Sequence, residues 1–344
     1  MKIVITGGGT GGHLTIAKAI KEELNQRGIK PIFIGSANGQ DRSWFEDDEG
    51  FSQKYFFNTG GVVNKGALGK VKSLLNILGY AYKCKSIFKK EKIDAVFSVG
   101  GYSAAPASIA SVVFKKPLYI HEQNAVVGKL NSLLKPYAKA IFSSYFDDSP
   151  LKDYPIRDVF FQNARIRDSI KTIIFLGGSQ GATAINNFAK EVAPILKQKG
   201  IKVIHQSGKR DFESLKEFYA SINFKVDLFD FSKNLDEKIK QADFAISRSG
   251  ASTMWELSAS LIPALFIPYP YAAADHQYHN AKFLKENGLC FLKRENELDN
   301  SIMKEILQSD ISKMSYGLNH TIKQGGAKGI VDFIESQLSS YVKN

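Results

Sequence analysis

Two glycine-rich turns give this chain places to hold phosphate, GGGTGGH at residues 7–13 and GGSQGA at residues 177–182. Each follows an apolar run, Lys2-Ile3-Val4-Ile5-Thr6 before the first and Thr172-Ile173-Ile174-Phe175-Leu176 before the second. A buried strand that breaks into glycines and then enters a helix sets backbone N–H groups at a positive dipole end, where anions bind well. One such turn is a weak signal. One at the head of each half of a 344-residue chain predicts two nucleotide-fold domains, about 150 to 170 residues each, facing a shared cleft.

The first turn contains G-x-G-x-x-G at Gly7, Gly9 and Gly12, so a dinucleotide-dependent dehydrogenase has to be weighed. Such sites hold the ribose through an acid at the end of the second strand. Here Ile32-Phe33-Ile34 ends in Gly35-Ser36, and the first acid is Asp41. Neither turn continues into Gly-Lys-Ser/Thr, which removes the P-loop reading.

His13 closes the first turn at a helix start. An imidazole titrates near about 6.5, and a helix N-terminus favours its neutral form, which suits a general base. A helix cap or a phosphate contact is the alternative. Asn124 follows an apolar strand, at the edge where ligands sit in open α/β sheets, and its amide both donates and accepts. His121 reads as structural; Glu122 stays open between a catalytic and a loop-fixing role. Glu256 stands four residues after Ser252, so the two share a helical face. A carboxylate there can accept both hydroxyls of a ribose, a surface salt bridge being the other reading. The sequence has no isolated Asp-x-Asp, the acidic run 46–49 reads as a solvated loop, and His276 and His279 show no third ligand. No metal or other cofactor is therefore expected.

The elements that must position these residues alternate. Apolar strands at 2–6, 31–35, 95–99, 118–121 and 140–143 interleave with helical stretches near 16–27 and 106–114. The second half repeats the scheme with strands at 172–176, 202–205, 226–231, 244–247 and 264–268, and helices near 184–198 and 253–260. That alternation specifies βαβ units and parallel sheets. Residues 146–168 lack periodicity and serve as the linker. The two cysteines, Cys84 and Cys290, have no metal-ligand spacing and point to a reducing compartment. The chain opens on a core strand, which argues against a signal peptide, and prolines interrupt the apolar stretch 261–274.

A net charge of +12 needs a partner, and without a helix-turn-helix, RNP or zinc-finger pattern nucleic acid is not that partner. The charge concentrates in residues 65–92, where Lys65, Lys70, Lys72, Lys83, Lys85, Lys89, Lys90 and Lys92 interleave with leucines and aromatics. Two readings fit: an interfacial helix on an anionic membrane, or a buried helix face with solvated lysines.

Six motifs, GGGTGGH, VGGYSAAP (99–106), HEQN (121–124), GGSQGA, SRSGASTMWE (247–256) and DHQ..NA (275–281), occur in that order. Together, from residue 2 to about residue 330, the chain resembles the MurG family, the UDP-N-acetylglucosamine–N-acetylmuramyl-(pentapeptide) pyrophosphoryl-undecaprenol N-acetylglucosaminyltransferases. The resemblance implies an α/β fold of the GT-B glycosyltransferase type, two Rossmann-like parallel-sheet domains facing a cleft. It implies an N-terminal acceptor- and membrane-binding domain at 1–160 and a C-terminal UDP-GlcNAc domain at 161–326, the final helix in 327–344 packing on either. The implied enzyme is an inverting N-acetylglucosaminyltransferase that converts lipid I to lipid II in peptidoglycan synthesis, peripheral on the cytoplasmic face of the bacterial inner membrane. Its implied partners are UDP-GlcNAc, the polyprenyl-diphosphate sugar acceptor and an anionic membrane surface.

Residue by residue, the resemblance carries donor contact and acceptor-diphosphate pocket to Thr10, Gly11 and Gly12, GlcNAc contact to Asn124, and UDP diphosphate contact to Ser179. It carries uracil recognition to the backbone at Ser232, the donor-helix start to Ala251, Ser252, Thr253, Met254 and Trp255, ribose to Glu256, and GlcNAc hydroxyls to Gln277. Three positions depart from the family pattern. Ile16 replaces a common proline, Trp255 replaces smaller residues, and the linker motif reads Gln162-Asn163-Ala164-Arg165-Ile166-Arg167. Of its two arginines, Arg167 is expected to contact the donor. Rival readings are a UDP-sugar transferase acting on diacylglycerol and a membrane-docking scaffold that binds a sugar nucleotide without turnover.

Overall fold

The computed structural model describes residues 1–61, 66–178, 181–232 and 234–342. The chain forms two compact units, Met1–Ile156 with Gly325–Asn344, and Arg157–Gln324. The first unit holds β1 (Ile3–Thr6), β2 (Ile32–Ser36), β3 (Gln53–Phe57), β4 (Ala95–Ser98), β5 (Leu118–His121) and β6 (Ala140–Phe142). They pair in the order β3-β2-β1-β4-β5-β6 with every pairing parallel. The second holds β7 (Thr172–Leu176), β8 (Lys202–Gln206), β9 (Asp227–Phe229), β10 (Phe244–Ser247), β11 (Ala264–Phe266) and β12 (Phe291–Leu292), in the order β12-β11-β10-β7-β8-β9. Its ladders are parallel too.

The strands are apolar because helices cover both faces; β1, β4, β5 and β10 are buried along their whole length. The helices that matter below are α1 (Gly11–Gln26), α2 (Ala67–Lys90), α3 (Ala105–Val113), α4 (Thr183–Gln198), α5 (Ala251–Ala259), α6 (His276–Glu286) and α7 (Gly326–Val342). One core joins Val4, Ile34, Val96 and Ile120 of the first sheet to Cys84 and Phe88 of α2 and Ala107 and Ala110 of α3. Another joins Ile173, Phe175, Ile246 and Leu265 of the second sheet to Ile185, Phe188 and Val192 of α4.

In each sheet the strand order turns back beside the first strand, between β1 and β4 and between β7 and β10. Loops leaving neighbouring strands diverge there, and that is where open α/β sheets hold ligands. The alternation read from sequence thus yields the expected α/β fold with two parallel sheets. Edge strands β3 and β12 were not anticipated: β3 opens on Gln53 and Lys54 and is only partly buried, and β12 spans two residues.

The segment expected to link the domains contains a one-turn helix, Asp158–Gln162, tied into the second unit by the Arg157–Asp236 pair at 3.2 Å. Helix α7 packs on the first unit. Phe333 meets the rings of Tyr119 and Phe142, and Glu335 pairs with Arg27 at 2.7 Å.

The basic helix α2 has two faces. Ile77, Ala81, Cys84 and Phe88 are buried, while Leu68, Val71, Leu74, Leu75, Leu78 and Tyr82 are exposed, Leu75 at 65% and Tyr82 at 69%. Lys70, Lys72, Lys83, Lys85, Lys89 and Lys90 surround that apolar surface and are themselves exposed; Lys65 lies outside the described residues. The buried side answers to the core-face reading, and the apolar residues of the other side are exposed. Among the described residues no helix is long and apolar enough to cross a membrane.

Candidate active site

In the first unit the site starts from two glycine loops that interlock. β1 runs into Gly7-Gly8-Gly9 and β4 into Gly100-Gly101, and the amide of Gly8 donates to the carbonyl of Gly100 at 3.2 Å. Gly7 has a φ of +121°, and a Cβ there would come within 2.4 Å of the Gly100 oxygen, so no other residue fits. This contact brings the start of α1 beside the loop from β4.

Asp41 lies beneath the first loop, fully buried. Its carboxylate accepts from the amides of Gly9 and Ser36, the latter at 2.8 Å. Burial pushes its carboxyl above the usual range, and the two amide bonds pull it back. Sequence reasoning met Asp41 only as an acid too late to hold a dinucleotide ribose. Its role is to fix the glycine loop from below. The amides of Gly8 and Gly9 are thus spent inside the protein, and the turn runs on through Thr10 into the start of α1 at Gly11 and Gly12.

His13 sits in the first turn of α1. Its Nδ1 is 3.0 Å from the Thr10 hydroxyl, and Gln123 approaches the same ring. The motif HEQN, at the end of β5, divides its work by residue. His121 is buried against the Tyr154 ring, centroids 5.2 Å apart, and burial holds its imidazole neutral with a pKa of about 3. Glu122 is 2% exposed, and its carboxylate accepts from the amides of Asn124 (3.0 Å) and Gly128 (2.9 Å) and from the Asn131 side chain (2.8 Å). Those bonds make it the brace of the loop. Asn124, partly exposed, is carried by that brace.

In the second unit β10 runs into Arg248-Ser249-Gly250 and then α5. Ala251, Ser252, Met254, Trp255 and Glu256 are buried and Thr253 is partly exposed. Trp255, the departure from the family pattern, stacks on Phe283 of α6 at 5.3 Å, so the neighbouring helix accommodates the larger ring. Glu256 is 7% exposed on the α5 face that turns toward Arg157 and Asp236. Burial raises its carboxyl to about 8, Arg157 lowering it and Asp236 adding to the rise.

The loop after β11 is fixed twice. The Gln277 side-chain oxygen accepts from the Tyr269 amide at 2.9 Å, and the Arg248 guanidinium donates to the carbonyls of Ile267 and Pro268 at 3.1 Å. Ala274 and Asp275 are both left-handed, φ +51° and +53°, a strained entry to α6 held by the Asp275–Arg294 pair at 2.6 Å. Ser232 lies beyond β9, its hydroxyl accepting from the Asn234 amide at 3.1 Å. Ser179 falls outside the described residues.

Thr10 to His13 and Asn124 therefore gather at the C-terminal edge of the first sheet, and Ser232, residues 251–256 and Gln277 at the same edge of the second. Arg167 does not join them. It is fully buried at the opposite edge, where its guanidinium donates to the carbonyls of Ala242, Arg165 and Ser260. Burial lowers it to about 10. Arg165 pairs with Asp243 at that same edge, 2.5 Å away. A linear motif match cannot show which edge a residue faces; the expectation that Arg167 meets the donor gives way to a structural role.

Residues 3–143 match the glycosyltransferase family 28 N-terminal domain and residues 172–335 the glycosyltransferase family 28 C-terminal domain. A UDP-N-acetylglucosamine–N-acetylmuramyl-(pentapeptide) pyrophosphoryl-undecaprenol N-acetylglucosamine transferase of Sulfurovum sp. is 50% identical over 340 residues, covering 99% of this chain and 100% of the relative. One of the same name from Wolinella succinogenes is 51% identical over 336 residues, 98% and 100% of the two chains. The crystal structure of Acinetobacter baumannii MurG superposes with a TM-score of 0.78 at 27% identity, covering 97% of this chain and 99% of that one. The chain belongs to glycosyltransferase family 28 and, within it, to the MurG family of N-acetylglucosaminyltransferases.

Proposed function

We propose that this chain moves N-acetylglucosamine from UDP to the 4-hydroxyl of the muramyl sugar in undecaprenyl-diphosphate-MurNAc-pentapeptide, with inversion, making lipid II for peptidoglycan. Identity of about one half along the whole chain to transferases bearing that name carries the reading. The acceptor hydroxyl loses its proton to His13 as its oxygen attacks the anomeric carbon. The bond from that carbon to the diphosphate breaks, and its electron pair leaves with UDP. Charge grows on the diphosphate as this happens, so amides at the second glycine turn and the start of α4, with Ser179, stabilise the transition state more than the bound donor. Glu256 takes the ribose hydroxyls, Gln277 and Asn124 the GlcNAc hydroxyls, and the backbone at Ser232 the uracil.

Labelled UDP-GlcNAc incubated with lipid I, and separately with diacylglycerol, tests the proposal. Label in the lipid I product with stoichiometric UDP release is the expected result. Label only in diacylglycerol, or donor binding without UDP release, would overturn it in favour of one rival or the other.

The enzyme acts from the cytoplasmic face of the inner membrane, docked through the exposed side of α2. Its apolar patch ringed by lysines matches an anionic bilayer. Changing Leu74, Leu75 and Leu78 together to serine should weaken binding to anionic vesicles at least tenfold, since each burial in lipid is worth about 1.5 kcal/mol or more. Salt should weaken the wild-type protein as well, over a screening length of about 8 to 10 Å. Vesicle sedimentation measures both. Undiminished binding by the folded triple variant would remove α2 from the membrane contact.

A further inference from the structure

Gln123 is 93% buried by its exposure of 7%, and its recorded polar contact is with His13, 110 residues away in sequence. Its Nε2 stands 3.1 Å from His13 Nε2 and 3.4 Å from Nδ1. Those two distances cannot both come from a bond in the ring plane. The ring nitrogens are about 2.2 Å apart with lone pairs pointing outward, so an in-plane bond to one leaves the other about 5 Å away. The carboxamide therefore lies on the face of the imidazole and does not occupy the in-plane lone pair of Nε2. The Oε1 of Gln123 is buried with no hydrogen-bond partner among the described residues, so the side chain is not held there by a network of its own. Elsewhere on the ring, the Thr10 hydroxyl meets Nδ1 at 3.0 Å, and Gly100 comes near enough that a Cβ there would stand 3.4 Å from Cδ2 and Nε2.

We propose that Gln123 is a positioning residue for His13, its carboxamide resting on the ring face and fixing the plane in which the imidazole meets the acceptor hydroxyl. The inference rests on the reading of His13 as the base. A lone pair lies in the ring plane, so rotation about the Cβ–Cγ bond carries it away from the hydroxyl. The Thr10 hydroxyl restrains that turn through a bond at the ring edge, and a group packed on the ring face adds a steric stop to it. Since β5 delivers Gln123 and β1 delivers His13, the plane is set by the sheet.

Gln123→Ala takes the group off the ring face. It should lower kcat about 10- to 100-fold, the cost of displacing a reacting group by about 1 Å, and leave KM for UDP-GlcNAc unchanged. In a His13→Asn background the same change should cost nothing further. Gln123→Glu gives a second readout: a carboxylate on the ring face favours the imidazolium, so the acidic limb of the pH–rate profile should move up by about one unit. His121, the other imidazole nearby, stays neutral throughout and adds no limb of its own. If His13→Asn alone retains near-normal kcat, the base reading fails and the inference with it. If His13→Asn is crippled yet Gln123→Ala still multiplies the loss, or the limb does not move in Gln123→Glu, Gln123 acts elsewhere and the inference alone is overturned.

Discussion

Replacing His13 with alanine should lower kcat for lipid II formation by about 10² to 10⁴-fold, the range a positioned general base contributes. The loss should fall on kcat, and the affinity for UDP-GlcNAc should hold, because the proposed uracil, ribose and diphosphate contacts of Ser232, Glu256 and Ser179 all belong to the second unit. The acidic limb of the kcat profile, taken at saturating UDP-GlcNAc, should vanish with the imidazole. These outcomes separate the base from its rivals. A His13 that only capped α1 would cost about 1 kcal/mol of stability and little turnover. One that only met the acceptor diphosphate would raise the acceptor KM and leave the pH limb in place. Steady-state kinetics against both substrates, with a thermal melt, measure all three.

The fold could be read in sequence wherever the physics is local. β7 was bounded at Thr172–Leu176 and β10 at Phe244–Ser247 because a strand buried on both faces is an unbroken apolar run ended by glycine or polar turn residues. β3 escaped because an edge strand needs no such run, and α2 stayed ambiguous because a helix with a core face and an exposed apolar face has weak polarity around its circumference.

The candidate site divides the same way. His13, Asn124 and Glu256 are candidates that local signals offer, a turn entering a helix for His13, a strand end for Asn124 and helical spacing for Glu256. Gln123 and Asp41 act through contacts across 110 and 32 residues, and no spacing rule connects them to the glycine turn. Arg167 shows the converse. An arginine beside a linker motif promises a phosphate contact, yet its surroundings, carbonyls from three separate segments, form only once the second sheet is assembled. Glu122 stood between two roles in sequence; three short donors to its two oxygens explain why a carboxylate is needed in a loop brace.

Glu256 yields the other large effect, and its sign follows from burial. Its carboxyl titrates near 8 in the ligand-free protein against 4.5 in water, so at neutral pH the protonated form prevails. For the fold alone, a raised carboxyl gives stability that is complete below about 4.5 and is lost as pH rises through about 8. Donor binding runs the other way. Two ribose hydroxyls donating to the group favour the carboxylate, so the bound complex has the lower pKa and binding releases a proton near neutrality. Affinity for UDP-GlcNAc should therefore climb as pH rises toward 8, by up to tenfold per unit, and level off above it. The donor's diphosphate, esterified at both ends, does not titrate in that window and cannot imitate the trend. Glu256→Gln should flatten the profile and abolish proton release, and Glu256→Ala should weaken binding about 100-fold or more by removing charge-assisted bonds worth about 1.5 to 3 kcal/mol each. Calorimetry in buffers of different ionisation enthalpy reads the proton directly. Affinity that falls between pH 6 and 8, or a Glu256→Gln protein that still releases a proton, would take the ribose away from this residue.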